Sequence, residues 1–216
     1  MKVNKKYFID NPVETGDLGG YIQQESNLDH LGAAWVYDNA WVYDNAQVYG
    51  NAQVTDGARV YDNACVYDNA QICGDAHVFG SACVHCNACV CDDAWVYDYA
   101  RVSGDARVYN SAQVCGNAQV SGDALVNDAA QVAGAALVCG DGLIFWASKV
   151  GTENGTLTVY NTKDNGLFVT RGCFLGTPAE FLARSAKQHD ERTHREYSLL
   201  IEVATSRIET ARARFA

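Results

Sequence analysis

Residues 34–51 read AWVYDN, AWVYDN and AQVYGN, which are three consecutive copies of one six-residue pattern. A β-branched residue recurs at every sixth position nineteen times from Val36 to Ile144, and alanine precedes it by two residues in eighteen of these hexads. A fixed short period without insertions is typical of a solenoid, in which each repeat packs only on its neighbours. The pattern therefore predicts an all-β solenoid.

Each hexad divides into a short strand and a corner. In the triplet Ala-x-Val the small and the large apolar residue alternate with a variable one, so both point inward while the variable residues point outward. The following pair is drawn mainly from Asp, Asn and Gly, which tolerate the left-handed backbone conformation of a sharp corner. The hexad is thus one unit of a regular coil.

Two hexads carry a family resemblance: AQVYGN at 46–51 and AQVSGD at 118–123 resemble the repeat of left-handed parallel β-helix proteins with hexapeptide repeats. The resemblance covers about half of the chain. It implies three hexads per triangular coil, about six coils, and a homo-oligomer, either a trimer or a dimer. The lead-in GDLGG at 16–20 resembles that of hexapeptide-repeat proteins on prophages and plasmids, which implies a mobile-element factor that interferes with a host protein.

The segments that flank the repeats are interpreted as caps. Residues 1–33 form an N-terminal cap with degenerate hexads, residues 34–147 form the β-helix, and residues 148–216 form a C-terminal cap. Within this last part the sequence predicts short strands near 143–145, 156–160 and 167–169, followed by two helices. The first helix begins with the capping box TPAE at 177–180 and runs to about Gln188, and the second extends from about Thr193 to Ala213.

Charge and cysteine content limit the partners and the compartment. The chain has a formal net charge of −10, and residues 34–142 contain thirteen Asp, three Arg, and neither Glu nor Lys. So acidic a body repels nucleic acid phosphates. We therefore expect that the protein does not bind nucleic acid, unless its surface mimics it. Because no apolar run approaches the length of a membrane span and the first residues lack a signal segment, we expect a cytoplasmic protein with reduced thiols and no membrane partner.

With three hexads per coil, residues eighteen apart stack, and one outward face becomes strongly aromatic. Such ladders can simply stabilise their own sheet through neighbouring pairs. A strip this long, however, exceeds the apolar surface that a soluble monomer normally exposes. We therefore predict an interface with a sister chain or a partner protein, formed by Trp41, Tyr43, Arg59, Tyr61, His77, Phe79, Trp95 and Tyr97.

One corner of the predicted prism is rich in aspartate. The simpler interpretation is that these residues form turns and hold their carboxylates in water. The alternative is an acidic spine that binds a basic partner or mimics nucleic acid. The acidic corner consists of Asp38, Asp56, Asp75, Asp92, Asp93 and Asp128.

Cysteine and histidine concentrate between Cys83 and Cys91, a composition that can indicate half of a zinc site. In the predicted register, however, Cys83 and His85 lie on a different face from Cys89 and Cys91, so we expect no metal site. The stacked pairs Cys65/Cys83 and Cys73/Cys91 are close enough to form disulfides on oxidation. The commoner explanation is that these cysteines are small residues of the ladders without a specific role.

The resemblance also implies an enzymatic alternative, since many hexapeptide-repeat proteins are acyltransferases that use acetyl-CoA and a histidine base. His77 is then the candidate base, at a site between subunits. Against this, every hexad from 34 to 142 has the same length, so no loop leaves the helix to build a cleft. The sequence therefore favours a non-catalytic interaction protein without a cofactor, and acetyl-CoA chemistry is the alternative.

Overall fold

A computed structural model describes residues 19–140 and 142–215 and shows a parallel β-solenoid of about seven turns. Successive strands join three parallel sheets in rotation, so within the regular hexads neighbouring strands in a sheet are eighteen residues apart. This arrangement confirms the predicted fold and the predicted stacking interval.

The first sheet contains every third strand, starting at the N-terminal cap. Its strands, in spatial order, are β1 (Tyr21–Ile22), β3 (Trp41–Val42), β6 (Arg59–Val60), β9 (His77–Val78), β12 (Trp95–Val96), β15 (Gln113–Val114) and β18 (Gln131–Val132).

The second and third sheets have six strands each. The second contains β4 (Gln47–Val48), β7 (Cys65–Val66), β10 (Cys83–Val84), β13 (Arg101–Val102), β16 (Gln119–Ser121) and β19 (Leu137–Cys139). The third contains β2 (Trp35–Val36), β5 (Gln53–Val54), β8 (Gln71–Ile72), β11 (Cys89–Val90), β14 (Arg107–Val108) and β17 (Leu125–Val126).

The interior of the solenoid is built from the two apolar columns of the hexad. From Ala40 to Val138 every alanine and every β-branched residue of these columns is fully buried. Val42 pairs with Val60 and Val60 with Val78 in register, so each large side chain packs directly over its equivalent one coil away. The outward residues of the same strands stay exposed or half-buried, as the alternation predicts.

The solenoid begins one coil earlier than the regular hexads. Strand β1 pairs with β3, and Leu28 forms a bridge with Val48, so the degenerate hexads extend the inner columns. The buried amide of Asn27 donates to the carbonyl oxygens of Asp44 and Ala46 at 3.0 and 2.8 Å, which fixes this coil to the next. The structure therefore has about seven turns where the regular hexads alone predict about six.

A short antiparallel sheet closes the far end of the solenoid. It consists of β20 (Ile144–Val150), β21 (Gly155–Asn161), β22 (Leu167–Arg171) and β23 (Phe174–Gly176). Its polar side chains satisfy the backbone of the last strand in the first sheet. Gln131 N donates to Thr158 Oγ1 at 3.1 Å and Ala133 N donates to Tyr160 Oη at 3.2 Å. The cap thereby covers a sheet edge that would otherwise be unpaired.

Two helices, α1 (Pro178–Gln188) and α2 (Glu191–Phe215), pack behind this sheet. The capping box of Thr177 and Glu180 is present at the start of α1, as predicted. Helix α2 begins two residues before the predicted Thr193, because Asp190 Oδ1 accepts a hydrogen bond from Thr193 N at 2.8 Å and so caps it. Among the described residues, neither helix is long and apolar enough to cross a membrane.

Candidate interaction face

The eight residues predicted to form an interface lie together on the first sheet. Strands β3, β6, β9 and β12 place Trp41, Arg59, His77 and Trp95 in one outward ladder. Residues two positions later in each hexad form the parallel ladder of Tyr43, Tyr61, Phe79 and Tyr97. We call these eight residues the aromatic face.

The rings of the second ladder stack face to face along the solenoid axis. Ring centroids are 5.0 Å apart for Tyr43 and Tyr61, 4.9 Å for Tyr61 and Phe79, and 5.1 Å for Phe79 and Tyr97, with interplanar angles of 4° or less. Each interior ring face is therefore covered by a neighbouring ring, and only the edges point to solvent. A planar ligand such as a sugar or a base finds no free ring face inside this ladder.

On the aromatic face, the two tryptophans provide most of the apolar surface that remains exposed to solvent. Trp41 is 48% exposed and Trp95 is 43% exposed, and they stand on either side of Arg59 and His77. Tyr21 stacks on Trp41 at 4.6 Å and extends the ladder by one coil. Sequence analysis did not include Tyr21, and the signal for it is the degenerate hexad at 20–25.

A shallow depression opens at this end of the aromatic face. Its volume is about 580 Å³, and it is lined by Tyr21, Ile22, Gln23, Trp41, Tyr43 and Arg59. The aromatic face is thus flat along most of its length and concave beside Trp41.

His77, the candidate base, lies in the middle of the face and is half-buried. Its ring lies 5.2 Å from the Trp95 ring, and its Nδ1 is 3.5 Å from Tyr61 Oη. Burial, followed by the nearby charge of Arg59, lowers the pKa of His77 below its ordinary value, while Asp75 opposes the change. The imidazole is therefore neutral at neutral pH, the protonation state that a general base requires.

The structure gives three of the six carboxylates of the acidic corner a specific bonding role. Asp56 Oδ2 accepts a hydrogen bond from Gly74 N at 3.1 Å, and Asp92 Oδ2 accepts one from Asn110 N at 3.0 Å. In both pairs the donor is eighteen residues later, at the equivalent corner of the next coil. Asp128 Oδ2 accepts instead from Trp146 Nε1 at 3.0 Å.

The same bond recurs at the other corners, where Asp62, Asp68 and Asp98 accept from the backbone N–H of Gly80, Cys86 and Gly116. The aspartates that accept these bonds also adopt the positive φ of the corner, for example 59° at Asp56 and 58° at Asp92. Asp38 stands in this column as well, with a φ of 55°, whereas Asp75 and Asp93 follow one residue later in their hexads. The corner carboxylates that accept these bonds therefore join consecutive coils. Neither of the two predicted interpretations includes this structural role.

The cysteines and histidine of the central coils separate onto two sheets, as the register predicts. On the second sheet His85 stacks on Tyr67 at 4.8 Å, and its Nδ1 is 3.2 Å from Cys86 Sγ and 3.9 Å from Asp68 Oδ2. Cys65 and Cys83 are neighbours in register with free thiols.

On the third sheet Cys73 and Cys91 form a disulfide, so the expectation of reduced thiols is wrong for this pair. Stacking had placed the two cysteines close enough to bond on oxidation. The free thiol of Cys89 lies beside it, with its Sγ 3.0 Å from Cys91 Sγ. The sequence pattern pairs Cys91 with Cys73 by stacking, but it places Cys89 only in the group between Cys83 and Cys91. Adding Cys89 to the Cys73/Cys91 pair would have identified the group of three sulfurs.

Comparison with known proteins agrees with this architecture. A family model described as the YdcK beta solenoid repeat matches residues 70–85, 100–116 and 118–134. No curated protein and no solved structure matches the chain. The three matched segments all lie within the parallel sheets and cover well under half of the sequence. The comparison and the structure together identify the chain as a β-solenoid repeat protein.

Proposed function

We propose that this chain is a non-catalytic binding protein whose aromatic face docks a second protein. The observation that carries the proposal is the pair of half-exposed tryptophans, Trp41 and Trp95, on one continuous sheet surface. Aromatic residues and arginine are enriched at the centres of protein interfaces, and this face combines both.

The form of the surface supports a macromolecular partner. The second ladder offers ring edges and tyrosine hydroxyls rather than open ring faces, which suits packing against another protein more than stacking on a small planar ligand. The depression beside Trp41 can receive one protruding side chain of that partner.

Charge defines the chemistry of the partner more closely. The chain has a net charge of −10, and residues 34–142 account for all of it. The corner carboxylates of Asp56 and Asp92 accept hydrogen bonds and still remain exposed. We therefore propose a partner with an apolar patch surrounded by Lys and Arg side chains, such as a host protein targeted by a mobile element. Self-association through the same face is the competing outcome.

The test begins with the mass of the full chain in solution, measured by light scattering, followed by capture of partners from a bacterial lysate. The variant Trp41→Ser/Trp95→Ser should lose the partner or the self-association. Tyr49→Ser/Tyr67→Ser, which removes a stacked pair of rings from the second sheet, is the matched control and should retain it.

The two outcomes of interest are distinct. A captured protein that is lost with the tryptophan variant and weakens as salt increases supports the charged partner. A dimer or trimer that becomes a monomer in the tryptophan variant identifies the partner as a second copy. A monomer that captures nothing, or capture unchanged by the tryptophan variant, contradicts the proposal.

A second function, acyl transfer from acetyl-CoA, is supported by the neutral imidazole of His77 and its contact with Tyr61. The hexads from 34 to 140 keep one length throughout the described solenoid, so a cleft for this reaction would have to form between chains. Calorimetry with acetyl-CoA separates the two functions: binding that disappears in His77→Gln would favour the enzyme, and absence of heat at millimolar ligand would contradict it.

A further inference from the structure

We propose that the reduced chain binds one thiophilic d10 cation of the Zn²⁺ class through the sulfur atoms of Cys73, Cys89 and Cys91. This site, the sulfur triad, lies on the third sheet and is separate from the aromatic face. The three sulfur atoms all lie within 4.8 Å of one another. Thiolates at such distances are the preferred ligands of zinc and related soft cations.

The solenoid backbone fixes the positions of the three cysteines. Cys89 and Cys91 flank the buried Val90, so alternation along the strand directs both side chains outward on the same sheet. Cys73 occupies the same position as Cys91 one coil earlier, with the two Cα atoms 4.6 Å apart. The triad is therefore a consequence of the repeat, which places two strand neighbours and one cross-strand neighbour around a single point.

Metal binding requires only small movements of the side chains. Around a tetrahedral zinc ion with Zn–S bonds of ~2.3 Å, sulfur atoms lie roughly 3.8 Å apart. The Cys89 and Cys91 sulfurs are 3.0 Å apart, so rotation about the side-chain bonds brings them to this spacing. The half-buried cysteines leave the outer side of the triad accessible, where water can occupy a fourth coordination position.

Local charge is compatible with a divalent cation. Three thiolates and one divalent cation have a summed charge of −1, and Arg107 is the register neighbour of Cys89. Thiolates rather than thiols bind the cation, so the cation has to displace the thiol protons, and we expect binding to release protons and to strengthen as pH increases.

The disulfide makes the site dependent on redox state. While Cys73 and Cys91 are bonded, two of the three donors are unavailable and Cys89 is left alone. A dithiol or phosphine reductant supplies two electrons, the S–S bond breaks, and two thiols form with protons taken from solvent. The cation then replaces the thiol protons, which return to solvent, and three metal–sulfur bonds form. A small-molecule disulfide reverses this sequence: it accepts two electrons and becomes two thiols, the Cys73–Cys91 bond forms again, and the cation is released while Cys89 takes up a proton from solvent.

The experiment titrates the full-length chain with Cd²⁺, a d10 probe whose thiolate complexes absorb in the ultraviolet. Protein reduced with a phosphine should bind one equivalent with this absorption and should release Cd²⁺ when excess Zn²⁺ is added. The oxidised protein should not bind at this site. Cys89→Ser, which keeps the disulfide partners, should weaken binding by more than about tenfold.

Two variants serve as controls for the assignment. Cys115→Ser removes a half-buried thiol from the first sheet and should leave binding unchanged. Cys86→Ser tests the other group of potential ligands, Asp68, His85 and Cys86, and should also leave it unchanged. Circular dichroism of each variant verifies the fold.

Several results would overturn the site. These are the absence of binding by the reduced protein, equal affinity of Cys89→Ser and the parent, or loss of binding in Cys86→Ser alone. Equal binding by the oxidised protein would overturn the dependence on redox state. None of these results depends on the aromatic face, so the site and the proposed binding function can fail independently.

Discussion

The interior and the outer faces of the solenoid differ in how much they change from coil to coil. Inside, alanine and a β-branched residue repeat with full burial from Ala40 to Val138. Outside, the same ladder passes from Trp41 to Arg59, His77 and Trp95 within four coils. A repeating interior can support almost any sequence of outward residues, since each coil packs only on its neighbours.

This difference separates the residues that specify the fold from those that can specify a partner. The corners belong to the first group, because aspartates such as Asp56 and Asp92 bond to the backbone of the next coil. The outward ladders contain residues of both groups. Stacked rings such as Tyr61 and Phe79 stabilise their own sheet, whereas Trp41 and Trp95 retain large exposed surfaces. Substitutions in the interior, at the corners and on the outer face should therefore differ in the size of their effects.

The largest effect is expected from a charge placed in the interior. Val54 is fully buried and adjacent to the outward Gln53 on the same strand. Val54→Asp would bury an unpaired carboxylate among apolar side chains, and we expect a loss of about 4 kcal/mol or more in the free energy of unfolding. Urea denaturation measures it.

Gln53→Asp is the matched control, because it introduces the same side chain one residue away on the outer surface. We expect a change of roughly 0.5 kcal/mol or less, as for most surface substitutions. Comparable losses in the two variants would mean that the strand does not alternate as the structure shows.

Much of this architecture could be predicted because one interval determines it. Given a hexad with one corner and three hexads per coil, residues eighteen apart must stack, and both ladders of the aromatic face follow from that rule. The same rule places Cys73 beside Cys91, although it does not determine that the two form a disulfide. The degenerate hexads of Ile22 and Leu28 were assigned to the N-terminal cap, and the predicted count of six coils left them out because they stand outside the regular Ala-x-Val spacing.

Other features depend on the directions of backbone N–H groups and side chains, which the repeat pattern does not specify. The hydrogen bond from Asn110 N to Asp92 Oδ2 exists because the corner N–H points back toward the preceding coil. Strand β23 was not predicted because its three residues lack an alternating pattern. The sulfur triad combines a strand neighbour with a cross-strand neighbour, and a search for linear cysteine motifs finds only the first.

An intermediate effect is expected at the corners. Asp92→Ala removes the acceptor for Asn110 N and places a side chain without that acceptor at a φ of 58°. We expect a loss of about 1–3 kcal/mol in the free energy of unfolding. Asp92→Gly tolerates the positive φ, so its smaller loss should report the hydrogen bond alone.

Asp93→Ala is the control from the same corner, since Asp93 accepts no hydrogen bond from the next coil among the described residues. It should change stability little. Thermal unfolding of the three variants compares them, and an equal loss in Asp93→Ala would assign the effect to the charge of the corner rather than to the bond.

The smallest effect concerns His77 on the outer face. Its pKa is lowered from an ordinary value of 6.5, first by burial and then by Arg59. The unfolded chain therefore binds more protons between the two pKa values, so this contribution to stability is complete above about pH 6.5 and decreases as pH falls through the folded pKa.

Arg59→Gln removes one of the two causes and should raise the pKa of His77, measured by NMR titration with His77→Gln as the reference for assignment. An unchanged or lower pKa in Arg59→Gln would show that burial between Tyr61 and Trp95 alone sets the protonation of His77. Packing within the outward ladder, and not charge, would then determine the protonation of this imidazole.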